Sequence, residues 1–141
     1  MSITLTTIQN QVEQQLNDVA NLIWSSDTIQ EAIRSALADL SRIYGFLVTL
    51  EGLDGEILTT FDDLDQSPLV LGGVAYALTY RVIGRSEEAT PEPKLAGQLA
   101  DFAQSLMSEF QGQLVQIQLR RFQESTYPVS GQWDWNEGAD F

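Results

Sequence analysis

The chain has 141 residues, 20 acidic and seven basic, for a formal charge of −13, and it contains neither histidine nor cysteine. Those two absences exclude disulfides, thiolate or imidazole zinc sites, and every mechanism that needs a cysteine nucleophile or a histidine base. Seven scattered basic residues cannot build the phosphate footprint of a tight nucleic-acid binder, whereas 43% hydrophobic residues suffice for one buried core.

The N-terminus MSITLTTIQNQVEQQ has no basic leader region, and the chain nowhere offers 18 consecutive apolar residues, so a soluble, non-membrane protein is expected. Ile8, Val12, Leu16 and Val19 recur at helical spacing after Thr6 or Thr7, predicting a first helix of about 12 residues with a glutamine-rich outer face. A second helix opens at the capping run Ser25-Ser26-Asp27. Its apolar stripe is Ile29, Ala32, Ile33, Ala36, Leu37, Leu40, Ile43 and Tyr44, and it stops at Gly45.

From Phe46 the period changes. FLVTLE and EILTTF flank Gly52-Leu53-Asp54-Gly55, which predicts a short β-hairpin over about 46–61. Six acids and no base lie between Glu51 and Asp65, so this insertion and its exit are expected to project into solvent. Ser67-Pro68 then signals a third helix, apolar on most sides, running to about Ile83. An all-round apolar helix is usually central, and Gly72-Gly73 would let a neighbouring helix approach its backbone, with the second and fourth helices on either side.

GRSEEATPEP at 84–93 marks a loop. Leu95, Leu99, Phe102, Ala103, Leu106, Phe110, Leu114 and Ile117 follow at helical spacing. A fourth helix from Pro93 to about Gln123 would be about 45 Å long and is expected to project at its far end. The sequence thus predicts a mainly α, small four-helix domain over 1–124 with a hairpin insertion, followed by an extended C-terminal arm over 125–141.

Little here suggests catalysis, and a non-enzyme with no cofactor and no metal is expected. Asp62-Asp63-Leu64-Asp65 lacks the alternating oxygens, glycine and closing glutamate of a calcium loop, and the other acids lie on predicted exposed loops instead of facing one cleft. Gly72-Gly73 lacks phosphate-loop spacing. Arg120-Arg121 would either complement the dipole at the end of the fourth helix or form ion pairs with an acidic neighbouring subunit.

The arm is the least ordinary segment. Tyr127, Val129, Trp133, Trp135 and Phe141 are large apolar side chains in Gly- and Pro-punctuated sequence, and they need something to cover them. Either the arm folds back over its own helices or it anchors on another protein. Val129 to Trp135 alternates loosely as a strand does, so the arm could add to a sheet edge with its tryptophans in pockets, and its residues could span roughly 55 Å.

A short leading helix, Trp24-Ser25-Ser26-Asp27 opening a helix with Ala32-Ile33 and Ala36-Leu37, a strand-bearing insertion, two further helices and an extended arm together resemble the head-tail connector, or adaptor, proteins of tailed bacteriophages. The resemblance implies a structural virion protein of the phage neck, assembled in the host cytoplasm. It would form a homo-oligomeric ring, generally a dodecamer, beneath the portal protein. The ring would extend a channel through which DNA passes without tight binding, and would dock the next tail, nozzle or stopper protein. It further implies that the arm residues Tyr127, Val129, Trp133, Trp135 and Phe141 bind the portal, and that the acidic loop residues Asp54, Glu56, Asp62, Asp63 and Asp65 face the tail or the lumen. The alternative reading is a soluble acidic protein-binding regulatory module that mimics nucleic-acid charge and binds a basic partner with salt-dependent affinity.

Overall fold

The computed structural model describes residues 3–18, 23–86 and 93–124. Helix α1, Leu5–Leu16, begins two or three residues earlier than its apolar spacing suggests, because the Thr4 hydroxyl, not that of Thr6 or Thr7, is the cap and accepts the Thr7 N–H. It ends at Asn17, whose left-handed φ of 57° turns the chain. Val19 lies outside the described residues. The buried Asp18 carboxylate then accepts the N–H groups of Ile23 (3.1 Å) and Trp24 (2.9 Å), fixing the approach to the next helix.

Helix α2, Ser26–Tyr44, is capped by Ser25 and stops where predicted, at Gly45 with φ 84°. Helix α3, Gln66–Ser86, grows directly out of a single 3₁₀ turn at Asp63–Asp65, so it starts ahead of Ser67-Pro68 and runs past Ile83. Pro68 falls in its first turn, where a missing N–H has no intrahelical partner to lose. Helix α4, Pro93–Glu124, matches the predicted span.

Helix α3 is the centre of the domain, packed against α2, α4 and α1, and α2 also touches α4. A Cβ on Gly72 would lie 2.6 Å from the Phe110 ring of α4 and 2.8 Å from Ala36 Cβ of α2, and one on Gly73 would lie 2.9 Å from Val12 of α1. The glycine pair is therefore the point where all three neighbours close on α3, which an alanine's methyl would hold apart. Trp24 adds a polar tie, its indole N–H donating to the Ala77 carbonyl at 2.8 Å.

The segment 46–61 departs from the prediction. The chain does reverse over 52–55, with Thr60 N–H donating to the Thr49 carbonyl (3.1 Å) and Gly52 N–H to the Glu56 carbonyl (2.9 Å), yet no β-ladder forms. Threonine hydroxyls take the ladder's place. Those of Thr60 and Thr59 accept the N–H groups of Thr49 (2.8 Å) and Glu51 (2.9 Å), and that of Thr49 donates to the Leu58 carbonyl (2.7 Å). The carbonyl of Glu51 accepts instead from Leu5 N–H at 2.8 Å, part of an isolated parallel bridge with Thr4. Threonine raises strand propensity and also supplies a side-chain oxygen that competes for the backbone, and here the competition wins.

This excursion does not simply project into solvent. Val48, Leu50, Leu53 and Phe61 join the hydrophobic core, while Phe46, Leu47, Ile57 and Leu58 stay exposed. Nor does the far end of α4 stand free: Phe110, Leu114 and Ile117 are buried, and the turn beyond them is held by the charged cluster described next.

Candidate interaction surface

The most constrained polar cluster sits where α4 ends, immediately before the arm. Asp65 is completely buried, contrary to its expected place on an exposed acidic loop. Its burial follows from its partners: Arg120 donates to both carboxylate oxygens, at 2.9 and 3.1 Å, and the Tyr44 hydroxyl donates to one of them. The Tyr44 oxygen in turn accepts the N–H of Asp62 at 2.9 Å. A planar guanidinium meeting a carboxylate through two bonds is the geometry that best offsets the loss of water around both charges.

Arg121, one residue on, lies over the face of Tyr44 with its guanidinium carbon 3.9 Å from the ring centroid, and Phe46 meets the same ring edge-on. Both arginines singled out in the sequence are thus engaged within their own subunit. Arg120 also has Asp62 at 3.7 Å and Glu124 at 3.9 Å. The hydrogen bond from Arg120 to Asp65 pushes the guanidinium pKa further up, and burial, with the Asp65 bond adding to it, pushes the Tyr44 phenol up to about 12. A second buried carboxylate, Asp39, accepts from the Tyr76 hydroxyl at 2.5 Å and pairs with Arg42 at 2.6 Å. Burial with that bond raises the Tyr76 phenol to about 12 as well.

The remaining acidic-loop residues Asp54, Glu56, Asp62 and Asp63 are exposed. Asp54 is nevertheless committed: Arg34 of α2 forks onto its two oxygens at 2.8 and 3.0 Å, holding the tip of the excursion to the helix and the carboxyl below its usual range. Glu56 and Asp63 have no ion pair among the described residues. The portal-binding candidates Tyr127, Val129, Trp133, Trp135 and Phe141 lie outside the described residues.

Sequence reasoning missed two groups of exposed apolar side chains. Val115, Leu119 and Phe122 form a stripe on the outer face of α4, and Leu47, Ile57 and Leu58 are exposed on the excursion. The stripe was legible in principle, since the end of α4 carries more apolar positions than one buried face can use. Among the described residues no cluster of acidic groups is placed to hold a metal ion, and no helix is long and apolar enough to cross a membrane. Comparison with known proteins finds no matching family model, no matching curated protein and no matching solved structure.

Proposed function

We propose that this chain is a structural neck protein of a tailed bacteriophage, an adaptor whose copies form a ring beneath the portal and whose C-terminal arm anchors there. The observation that carries the reading is the way the helical domain ends. Helix α4 is clamped through Arg120 and Arg121 to Asp65 and Tyr44, so the aromatic sequence that begins after residue 124 follows a fixed platform and not a fraying helix end. Such a layout suits anchoring: the domain sets position and a run of large apolar side chains supplies contact area. The test is co-sedimentation with the portal protein encoded in the same genome. The full-length chain is expected to bind and a version ending at Glu124 to remain folded without binding. Retained binding by the shortened chain would remove the arm from the mechanism, and no binding by either would sink the adaptor reading.

Glu56 and Asp63, exposed and without an ion pair among the described residues, favour one second reading, an acidic module that binds a basic protein. Charge reversal at Glu56 and Asp63 would then weaken binding in a salt-dependent way. Reversal at Asp65 would not be informative, because that carboxylate is buried and its loss acts on folding.

A further inference from the structure

Two hollows open along the seam between α3 and α4. One, of about 360 Å³, lies where α4 ends, with Leu64, Pro68, Ile117 and Arg120 among its lining residues. Leu64 is 71% exposed there, and the Arg120 Nε is buried yet donates no hydrogen bond among the described residues. The other, of about 220 Å³, is lined by Leu71 and Leu78 of α3, Phe102 and Leu106 of α4 and Leu16 of α1, with no charged residue in its lining. Phe102 leaves 54% of its surface open beside it. Phe102 and Arg120 stand 18 residues apart, five whole turns at about 3.6 residues per turn, so both hollows open on the same side of α4.

What can cover this side follows from the chain that leaves α4. Beyond Glu124 the large apolar residues Tyr127, Val129, Trp133 and Trp135 all fall at odd positions, so an extended arm presents them on one face. An extended chain advances about 3.3 Å per residue and a helix about 1.5 Å, so an arm turned back along α4 passes roughly two helix residues for each of its own. Tyr127, about 10 Å along the arm, comes level with Ile117, about 10 Å back along α4. Trp133, about 30 Å along, comes level with the turn from Phe102 to Leu106, about 27–33 Å back. An aromatic ring therefore meets each hollow, and Gly131 passes Glu109 without bringing an acid to it. A chain reversing beside Arg120 also brings backbone carbonyls to the unused Nε, as a buried donor requires.

We propose that this seam is the seat of the chain's own arm: in the unbound subunit residues 125–135 lie back along α4, with Tyr127 in the hollow beside Arg120 and Trp133 in the hollow beside Phe102. The docking takes apolar ring surface, and the open faces of Leu64 and Phe102, out of water. Docking and partner binding use the same side chains, so each excludes the other. On the adaptor reading, on which this consequence alone rests, the arm is stowed until the portal displaces it, and the docked fraction lowers the apparent affinity for the portal.

The test is fluorine NMR on the full-length chain carrying fluorinated tryptophan, whose three resonances are assigned by Trp133→Phe and Trp135→Phe. The change in each shift between light and heavy water reads that ring's exposure. Trp133 is expected to be shielded in the unaltered chain and in Val115→Glu, which lies on another side of α4, and to gain the full solvent shift in Phe102→Glu. An exposed Trp133 in the unaltered chain, shielding that survives Phe102→Glu, or shielding lost equally in Val115→Glu would each overturn the proposal. Sedimentation at the same concentration tells whose arm is docked: shielding confined to associated chains would assign the seam to the arm of another copy and overturn it too. Circular dichroism checks folding, and Phe102→Ser serves if the glutamate unfolds the domain. In co-sedimentation Phe102→Glu is expected to bind the portal more tightly than the unaltered chain, and equal affinity would overturn the competition. Portal binding by neither chain would remove the adaptor reading, while the fluorine shifts still decide the docking.

Discussion

Removing Arg120 and removing Asp65 break the same ion pair, yet the two changes are expected to differ in cost because the partners differ in access to water. In Arg120→Met the Asp65 carboxylate, with 0% exposure, is left with the Tyr44 hydroxyl and no counter-charge. An uncompensated buried charge of this kind costs about 3–5 kcal/mol. In Asp65→Asn the orphan is Arg120, whose side chain is 26% exposed and has Glu124 at 3.9 Å, so it can turn toward solvent and a second carboxylate. The loss is then that of hydrogen bonds to a charged group, about 1.5–3 kcal/mol. Urea unfolding followed by far-ultraviolet circular dichroism separates the two. With a slope of about 1–3 kcal/mol per molar, the Arg120→Met midpoint falls by roughly 1 M or more. The double variant is expected to cost less than the sum of the singles, since its first change has already broken the pair. An Arg120→Met cost below about 1 kcal/mol, or one smaller than that of Asp65→Asn, would refute the claim that Asp65 depends on this arginine for its burial.

The same glycine-to-alanine change is expected to have opposite signs on two helices. Gly72→Ala drives a methyl into Phe110 and Ala36, with an overpacking cost of about 1–3 kcal/mol that outweighs the gain in helix propensity. Gly112→Ala meets nothing within 4 Å and is expected to stabilise by about 0.5–1 kcal/mol, and thermal unfolding of the pair checks both. The protonated Tyr44 phenol is the form the fold holds, its pKa rising from 10.0 to about 12. Its contribution is therefore complete below pH 10 and lost as pH rises through about 12. Stability measured across that interval should fall less steeply in Tyr44→Phe, and an unchanged slope would contradict the assignment. Thr59→Val deletes the acceptor of the Glu51 N–H and the donor to the Ile3 carbonyl, so amide exchange is expected to quicken around residues 3–5 and 49–53 while α3 stays protected.

Much of the helical architecture was legible in local pattern. Ser25 and Gly45 bound α2 because a cap hydroxyl and a left-handed glycine act within one turn of the helix end, whatever the rest of the chain does. The central position of α3 followed from its all-round apolar surface, and the close approach at Gly72-Gly73 from the missing side chains there. The excursion was misjudged because FLVTLE and EILTTF carry strand propensity and hydrogen-bonding hydroxyls in the same residues. Which of the two prevails depends on what stands nearby, and Leu5 and Ile3 of the N-terminal segment supply partners that a strand-by-strand reading does not see.

The charged residues show the division most clearly. The sequence by itself determined the net charge, the absence of histidine and cysteine chemistry, the limits of α2 and α4 and the core face of α2, all set by residue type and by spacings of a few positions. It could not separate Asp65 from Asp62 and Asp63, three acids in one short run. Only the tertiary structure decided that Asp65 turns inward, because the arginine that makes this affordable stands 55 positions away on α4 and is brought there by the packing of α3 between its neighbours. Likewise only the fold decided which apolar residues of α4 are core and which are surface, since a helix presents every side and its neighbours determine which side is covered.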